Sequence, residues 1–258
     1  MENSPLKKFE GRFDRLGFRL GAPSWVWPGT YSENARMLKP LFREVQITAY
    51  EPHSVSPVTA EELDSLDALN SAQFGYSLHL PIPTGLSAPG GSPELPIVET
   101  IKAFRKVGVG NHVLHIEKPG RGWDPVLVRE RVARIIESSA LRPEQVCVEN
   151  IISTRFEEVW PAVAGLGVSV CFDVGHCVAR GEDPMRFFDD YSGKIRMAHI
   201  HGATRGRDDH LALGALGLET LSGIVARFAG LGMAGAVIIE NFSAETLLES
   251  LEDLSQIS

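Results

Sequence analysis

Short apolar runs rich in β-branched residues alternate along the chain with longer stretches whose apolar positions recur every three or four residues. The short runs predict strands at 16–21 (LGFRLG), 44–49 (EVQITA), 75–80 (GYSLHL), 112–117 (HVLHIE), 145–150 (QVCVEN), 168–173 (VSVCFD), 194–200 (KIRMAHI) and 235–240 (GAVIIE). Helical spacing of Ile97, Val98, Ile101, Phe104 and Val107 predicts a helix over 93–107, and that of Val126, Val128, Val132, Ile135 and Ile136 one over 125–138. The stretch 217–231 reads likewise, and SAETLLESLEDL closes the chain with Ser243 as the expected cap ahead of Glu245. Strands alternating with helices are the mark of βα units and a parallel sheet. The segment 81–96 (PIPTGLSAPGGSPELP) breaks the pattern: its prolines and glycines rule out regular structure, and a loop of that length is a functional or mobile one.

Eight units in 258 residues predict an eight-stranded (β/α)8 barrel, which typically takes ~250 residues. A doubly wound sheet is the other fold of this size. No linker divides the chain, so 15–258 is read as one barrel domain behind an N-terminal extension, 1–14. No run approaches the ~20 apolar residues of a membrane span, and the first residues lack a secretory apolar stretch, which predicts a cytoplasmic protein without membrane contact. Cys147, Cys171 and Cys177 form an odd set without metal spacing, and are expected as free thiols. With 25 basic and 33 acidic side chains the net charge is −8, which works against a long polyanion and excludes duplex nucleic acid as the expected partner. A small-molecule substrate is expected instead; oligomeric state is left open.

The chemistry gathers where the strands end. His79, His115, Glu149, Asp173, His176, His199, His201, Asp208, His210 and Glu240 all stand at or just beyond the C-terminal ends of expected strands, the face on which parallel α/β barrels bind their ligands. Six of the eight histidines belong to this set, while His53 and His112 fall outside it and are read as structural. Imidazoles and carboxylates without thiolates suit zinc, manganese or iron in an open site. Gly175 is expected to let the backbone turn sharply between Asp173 and His176, and Asn150 to orient Glu149.

The order His, His, Glu, Asp-x-x-His, His, Asp-x-His, Glu on strands three to eight resembles the xylose-isomerase-like TIM barrels, a superfamily that includes endonuclease IV and the sugar phosphate isomerases and epimerases. Within it, HLP at 79–81, VEN at 148–150, CFDVGH at 171–176, HIHG at 199–202, DHLAL at 209–213 and ENF at 240–242 are most similar to the cobamide-remodelling phosphodiesterases, the CbiR branch. The resemblance to the nuclease implies up to three divalent ions, zinc or manganese. His79, His115 and Glu149 would hold one, Glu149 as a bridge with Asp173, His199 and Glu240 a second, and His176, Asp208 and His210 a third. His201 competes with His199, since the nuclease has asparagine and aspartate where this chain has His201 and Gly202. The branch opens the nucleotide loop of a cobamide at the phosphoribosyl bond, leaving cobinamide phosphate and an α-riboside.

On that reading Glu149 and Glu240 are the catalytic carboxylates, and clustered cations activate water and neutralise the phosphoryl oxygens. Arg205 and Arg207, with Arg121 as a further candidate, grip the phosphate, because a guanidinium matches two oxygens at once. Trp25, Trp27 and Trp123 would rim the mouth for a flat apolar ring. The alternative is a sugar or sugar phosphate isomerase or epimerase with one manganese-type ion on Glu149, Asp173, His199 and Glu240, the two glutamates shuttling a proton. A binding protein without catalysis is the third class.

Overall fold

The computed structural model describes residues 5–82 and 85–257. Strands β1 (Arg19–Pro23), β2 (Glu44–Thr48), β3 (Gly75–His79), β4 (Asn111–Leu114), β5 (Val146–Glu149), β6 (Ser169–Asp173), β7 (Ile195–Ile200) and β8 (Ala236–Ile239) pair in parallel in chain order. β8 also pairs with β1, which closes the barrel and leaves no strand edge exposed. The expected TIM barrel is the fold. Around it run α1 (Tyr31–Leu38), α2 (Ala60–Leu69), α3 (Leu95–Ala103), α4 (Pro125–Ser139), α5 (Phe156–Val163), α6 (Val174–Arg180), α7 (Pro184–Tyr191), α8 (Leu218–Leu231) and α9 (Ala244–Leu254).

Local chemistry fixes the element ends. Thr30 and Glu33 form a reciprocal capping box on α1, and Asp124 accepts the Val126 and Leu127 N–H groups ahead of Pro125 at the start of α4. Ser243 caps α9 by accepting the Thr246 N–H. Several boundaries differ from expectation, the fourth strand ending at Leu114 rather than residue 117; two differences have a local cause. The first strand begins at Arg19 rather than residue 16, because Gly17 turns the chain at φ +81° and Leu16 is buried with the preceding segment. Regular structure enters the proline-rich segment, where α3 starts at Leu95 with Pro96 in its first turn, a place where the missing N–H costs no helical bond. Residues Pro83 and Thr84 of that segment lie outside the described ones. The stretch read as an N-terminal extension buries Leu6, Phe9 and Phe13 in the main core and ties to α9's end through Lys8–Glu252 (2.7 Å) and Arg12 to the Ser255 carbonyl.

The core has two parts. The larger fills the space between barrel and helices, and a small one inside the barrel comprises Val113, Cys147, Cys171, Met197, Ala236 and Ile238. The three cysteines are free and buried. Among the described residues no helix is long and apolar enough to cross a membrane.

His112 lies one residue out of phase with the inward-facing Val113 and is buried outside the barrel, 3% exposed, its Nδ1 without a partner among the described residues. Burial pushes its pKa down to about 4, and a backbone contact with Gln145 offsets this only in part. The unfolded chain, with this group near 6.5, therefore binds more protons between the two values, and stability rises with pH across that window. A drop of about 3 kcal/mol between pH 6.5 and pH 4 is expected from this side chain. Urea midpoints measured across that range should fall less steeply in His112→Leu than in the parent; parallel curves would remove the assignment.

Candidate metal centre

Side chains of a strand alternate between its two faces, so a residue two beyond an inward-facing core residue also faces inward, one layer nearer the mouth. His115 follows Val113, Glu149 follows Cys147, Asp173 follows Cys171, His199 follows Met197, and Glu240 follows Ile238 in this way. The ladder sets them side by side: Thr48 is in register with His79, Glu149 with Cys171, and Asp173 with His199. Parity thus converts residues distant in the chain into one ring above the inner apolar plug.

Their ligand atoms fall into overlapping groups within 4.8 Å: His79, His115 and Glu149; Glu149, Asp173, His199 and Glu240; Asp173, His176 and His201; and His201, Asp208 and His210. Contrary to the expectation of a set without thiols, Cys171 also groups with Glu149 and His199, its thiol pushed up to about 12 by burial. Glu149 stands between the first two groups, its Oε2 3.0 Å from His115 Nε2 and 3.5 Å from His79 Nε2, its Oε1 3.4 Å from His199 Nδ1. His199 Nδ1 is 3.2 Å from Glu240 Oε2 and 3.7 Å from Asp173 Oδ2. Asp208 Oδ1 lies 3.4 Å from His176 Nε2 and 3.2 Å from His210 Nε2. All ten expected ligands are therefore brought together. His199 and His201 do not compete: both face inward, two residues apart, His199 with Glu240 and Glu149 and His201 with Asp173 (3.3 Å) on the side of His176 and His210.

Hydrogen bonds select the tautomers. The Nδ1 atoms of His79, His176, His201 and His210 face the backbone carbonyls of Leu80, Asn150, Gly202 and Glu240 at 2.8–3.1 Å, which as N–H donors leave each Nε2 with its lone pair. His199 is the exception: its Nε2 lies 2.9 Å from the Gln46 amide nitrogen, a donor, which in the neutral ring puts the proton on Nδ1, toward the carboxylates. Fixing one ring nitrogen so that the other can coordinate is how proteins prepare metal ligands.

The donor set fits divalent ions. Asp173 Oδ2, His199 Nδ1 and His201 Nε2 are buried without a hydrogen-bond partner among the described residues, a costly state for polar atoms. Around a tetrahedral zinc with bonds of about 2.0–2.1 Å, neighbouring ligand atoms are about 3.3 Å apart; most of the separations above match. Burial pushes the Glu149 carboxyl up, but the charges of His199 and His115 and hydrogen bonds from His115 and His176 outweigh it and hold its pKa well below the usual range. Glu240 is treated alike, burial against His199, and comes down to about 2. Both remain anionic. Burial lowers His79, whereas at His176 and His199 nearby acidic groups overcome burial and raise the pKa well above the usual value. Coordination would displace those protons.

Gly175, Asn150, Trp27 and Trp123 differ from expectation. Gly175 makes no sharp turn: it lies in the first turn of α6, whose cap is Asp173, accepting the His176 N–H at 2.7 Å. Glycine is needed there because a Cβ would stand 2.2 Å from the His201 ring. Asn150 does not hold Glu149; its amide exchanges hydrogen bonds with the Asp173 backbone, accepting from the N–H at 2.7 Å and donating to the carbonyl at 2.8 Å. Trp27 and Trp123 pack against the core, while Trp25 is 47% exposed and meets the Tyr50 ring edge-on. Arg205 lies over Gly181, and Arg207 is exposed, 3.9 Å from Asp209. Arg121 lines a separate cavity between the loops after β3, β4 and β5. His53 accepts the Val58 N–H, a structural role as expected.

Three neighbours of the centre went unread in the sequence. Gln46 orients His199; Tyr50 donates to Glu240 Oε1 at 3.1 Å and lies edge-on to His79; Phe242 packs on His210. Gln46 and Tyr50 share the parity of Thr48, in register with His79, a signal that period two alone contains. His210 adopts φ +42°, held by Asn241 Nδ2, which donates to the His210 and Leu211 carbonyls; backbone strain of this kind gathers at functional sites.

No curated protein matches the sequence. Among solved structures, the chain is similar to a D-tagatose 3-epimerase-like protein (17% identity, TM-score 0.73, covering 93% of this chain and 96% of that one). It is also similar to endonuclease IV from Thermus thermophilus (21%, 0.70, 92% and 99%) and to a sugar phosphate isomerase/epimerase from Parabacteroides distasonis (15%, 0.69, 93% and 94%). Likeness at such identities speaks for the fold. The family model of the xylose isomerase-like TIM barrel matches residues 42–256, most of the chain, and the protein belongs to that family.

Proposed function

We propose that the protein is a cytoplasmic, divalent-metal-dependent phosphodiesterase that opens the nucleotide loop of cobamides at the phosphoribosyl bond, giving cobinamide phosphate and an α-riboside. The observation that carries the multi-ion part is the convergence of His79 and His115 on Glu149 Oε2 while Glu149 Oε1 faces His199. One ion needs only Glu149, Asp173, His199 and Glu240; the additional groups, His79–His115–Glu149, Asp173–His176–His201 and His201–Asp208–His210, supply donors that a one-ion site does not use. Two or three clustered cations, zinc or manganese, would activate water and neutralise charge on the phosphoryl oxygens when bound. The chain's own part is to hold those ions at fixed spacing through Glu149 and to keep Glu240 anionic and oriented by the Tyr50 hydroxyl; Arg205 and Arg207, on the loop that also carries Asp208, are the cations we assign to the phosphate.

The corrinoid half of the proposal rests on the sequence resemblance and on the apolar mouth. Trp25, Tyr50 and Phe242 form an aromatic wall, and Trp25, Ile82 and Leu211 are exposed, a surface suited to a broad flat ring. The net charge of −8 disfavours duplex DNA as a substrate. The runner-up is a sugar isomerase or epimerase, favoured by the complete four-ligand group on Glu149, Asp173, His199 and Glu240. Incubating the metal-loaded protein with a cobamide should yield cobinamide phosphate by mass spectrometry, with two or three ions per chain. No product from oxidised or reduced corrinoid, together with one ion per chain and epimerisation of a ketose, would transfer the assignment to the runner-up.

A further inference from the structure

Beside the metal centre, between the loops that follow β3, β4 and β5, lies a cavity of about 330 Å³. It is close to the centre along the chain: Glu117 is two residues past His115, and Ser153 and Thr154 follow Glu149 by four and five. Its volume reaches the ~300 Å³ at which ligand pockets begin. One wall is the proline-rich loop, expected to be functional or mobile; residues 85–94 are folded around a buried guanidinium. Arg131 of α4 donates to the carbonyls of Gly85, Leu86, Ala88 and Gly90 at 2.8–2.9 Å and stands 3.5 Å from the buried carboxylate of Glu94. The wall is thus built in advance of any ligand, and little ordering is left to oppose binding.

The lining defines the ligand. Ser87 is fully buried, and its hydroxyl has no partner among the described residues. Thr154 is buried and accepts the Lys118 N–H, which leaves its own proton to donate. Glu117 adds a carboxylate, within 3.4 Å of the Ser153 hydroxyl, and Pro89 and Pro119 add apolar faces. Lys118 is already paired with Glu158 at 3.2 Å, and Glu117 offsets Arg121, so the cavity has no surplus positive charge to hold a free anion. Hydroxyls and a carboxylate between apolar faces are the chemistry that binds a neutral, polyhydroxylated ring.

We infer that this cavity is a preformed subsite for the riboside half of the substrate, with Ser87, Glu117 and Thr154 taking the sugar hydroxyls and Arg131 acting as a positioning residue through the loop. The inference rests on the phosphodiester reading above for the identity of the sugar, and its test is separate from it. Saturation-transfer NMR of the metal-loaded protein with methyl α-D-ribofuranoside should show binding that inorganic phosphate does not displace. The Kd should rise at least fivefold in Ser87→Ala and in Glu117→Gln, the latter an exposed change that keeps the fold. No binding, binding equal in parent and variants, or displacement by phosphate overturns the subsite. Riboside binding without cleavage of any diester, cobamide included, would reject the reaction and keep the subsite; cobamide cleavage with no effect of either variant on riboside affinity would do the reverse.

Discussion

Glu149→Gln is expected to lower turnover on the order of 10³-fold, equivalent to about 4 kcal/mol of transition-state stabilisation, and to remove at least one ion per chain. The substitution keeps the shape of the side chain and its hydrogen-bonding reach, so the barrel should retain its circular dichroism. What it removes is charge and symmetry. A carboxylate can offer one oxygen to the His79–His115 side and the other to His199, whereas an amide has one oxygen and an N–H₂ group that repels a cation. One of the two ring sets would then face the N–H₂ group in place of an oxygen, and an ion shared through both oxygens would lose one of its donors. Metal content by mass spectrometry of the purified protein, beside steady-state kinetics, reads the two effects independently. Parent-like ion content and turnover would eliminate Glu149 as the link between the groups.

Arg131→Met should cost about 3–5 kcal/mol, the penalty for stranding a buried charge, or roughly 10 °C in melting temperature for a domain of this size. Methionine fills the space of the stem but leaves four loop carbonyls without their donor and Glu94, fully buried, with Arg134 as its remaining partner. Lysine should rescue little, because a single ammonium cannot reach the four carbonyls and the carboxylate that the planar guanidinium serves together. In a double-mutant cycle, Glu94→Gln with Arg131→Met should cost less than the sum of the two, since the stranded charge is gone. Limited proteolysis should cut the loop in Arg131→Met and spare it in the parent. A melting point within a degree or two of the parent would show that the loop is held by something else.

That loop marks one limit of what the sequence discloses. The run of prolines and glycines over 81–96 announces irregular backbone correctly over most of its length, but irregular does not mean mobile. The group that orders it lies about forty residues downstream, at a position that reads as an ordinary basic residue within a helical pattern. The same limit applies to Gly175, whose need for glycine comes from a histidine ring on the next strand, and to Asn150, whose amide serves the neighbouring strand rather than the residue beside it. Each of these is a contact between elements, and no local pattern records the partner.

Strand and helix periodicities, by contrast, were sufficient for the barrel. Eight apolar runs alternating with amphipathic stretches leave few ways to bury both faces of a parallel sheet, and closure satisfies every strand edge. From this followed the side on which the candidate metal-binding side chains stand, because in such a barrel every strand end meets the same face. Parity within the strands would have added more: it places His199 and His201 both inward, puts His112 outside, and draws Gln46 and Tyr50 toward the centre. Only the tertiary structure decided how the ten candidate ligands divide into groups, which nitrogen of His79, His176, His201 and His210 faces a backbone carbonyl, and where the pocket beside them is walled. The physical reason is that these depend on distances of 3–4 Å between side chains of different strands, fixed by register and packing, whereas a one-dimensional pattern of apolar and polar positions specifies only which face each side chain occupies.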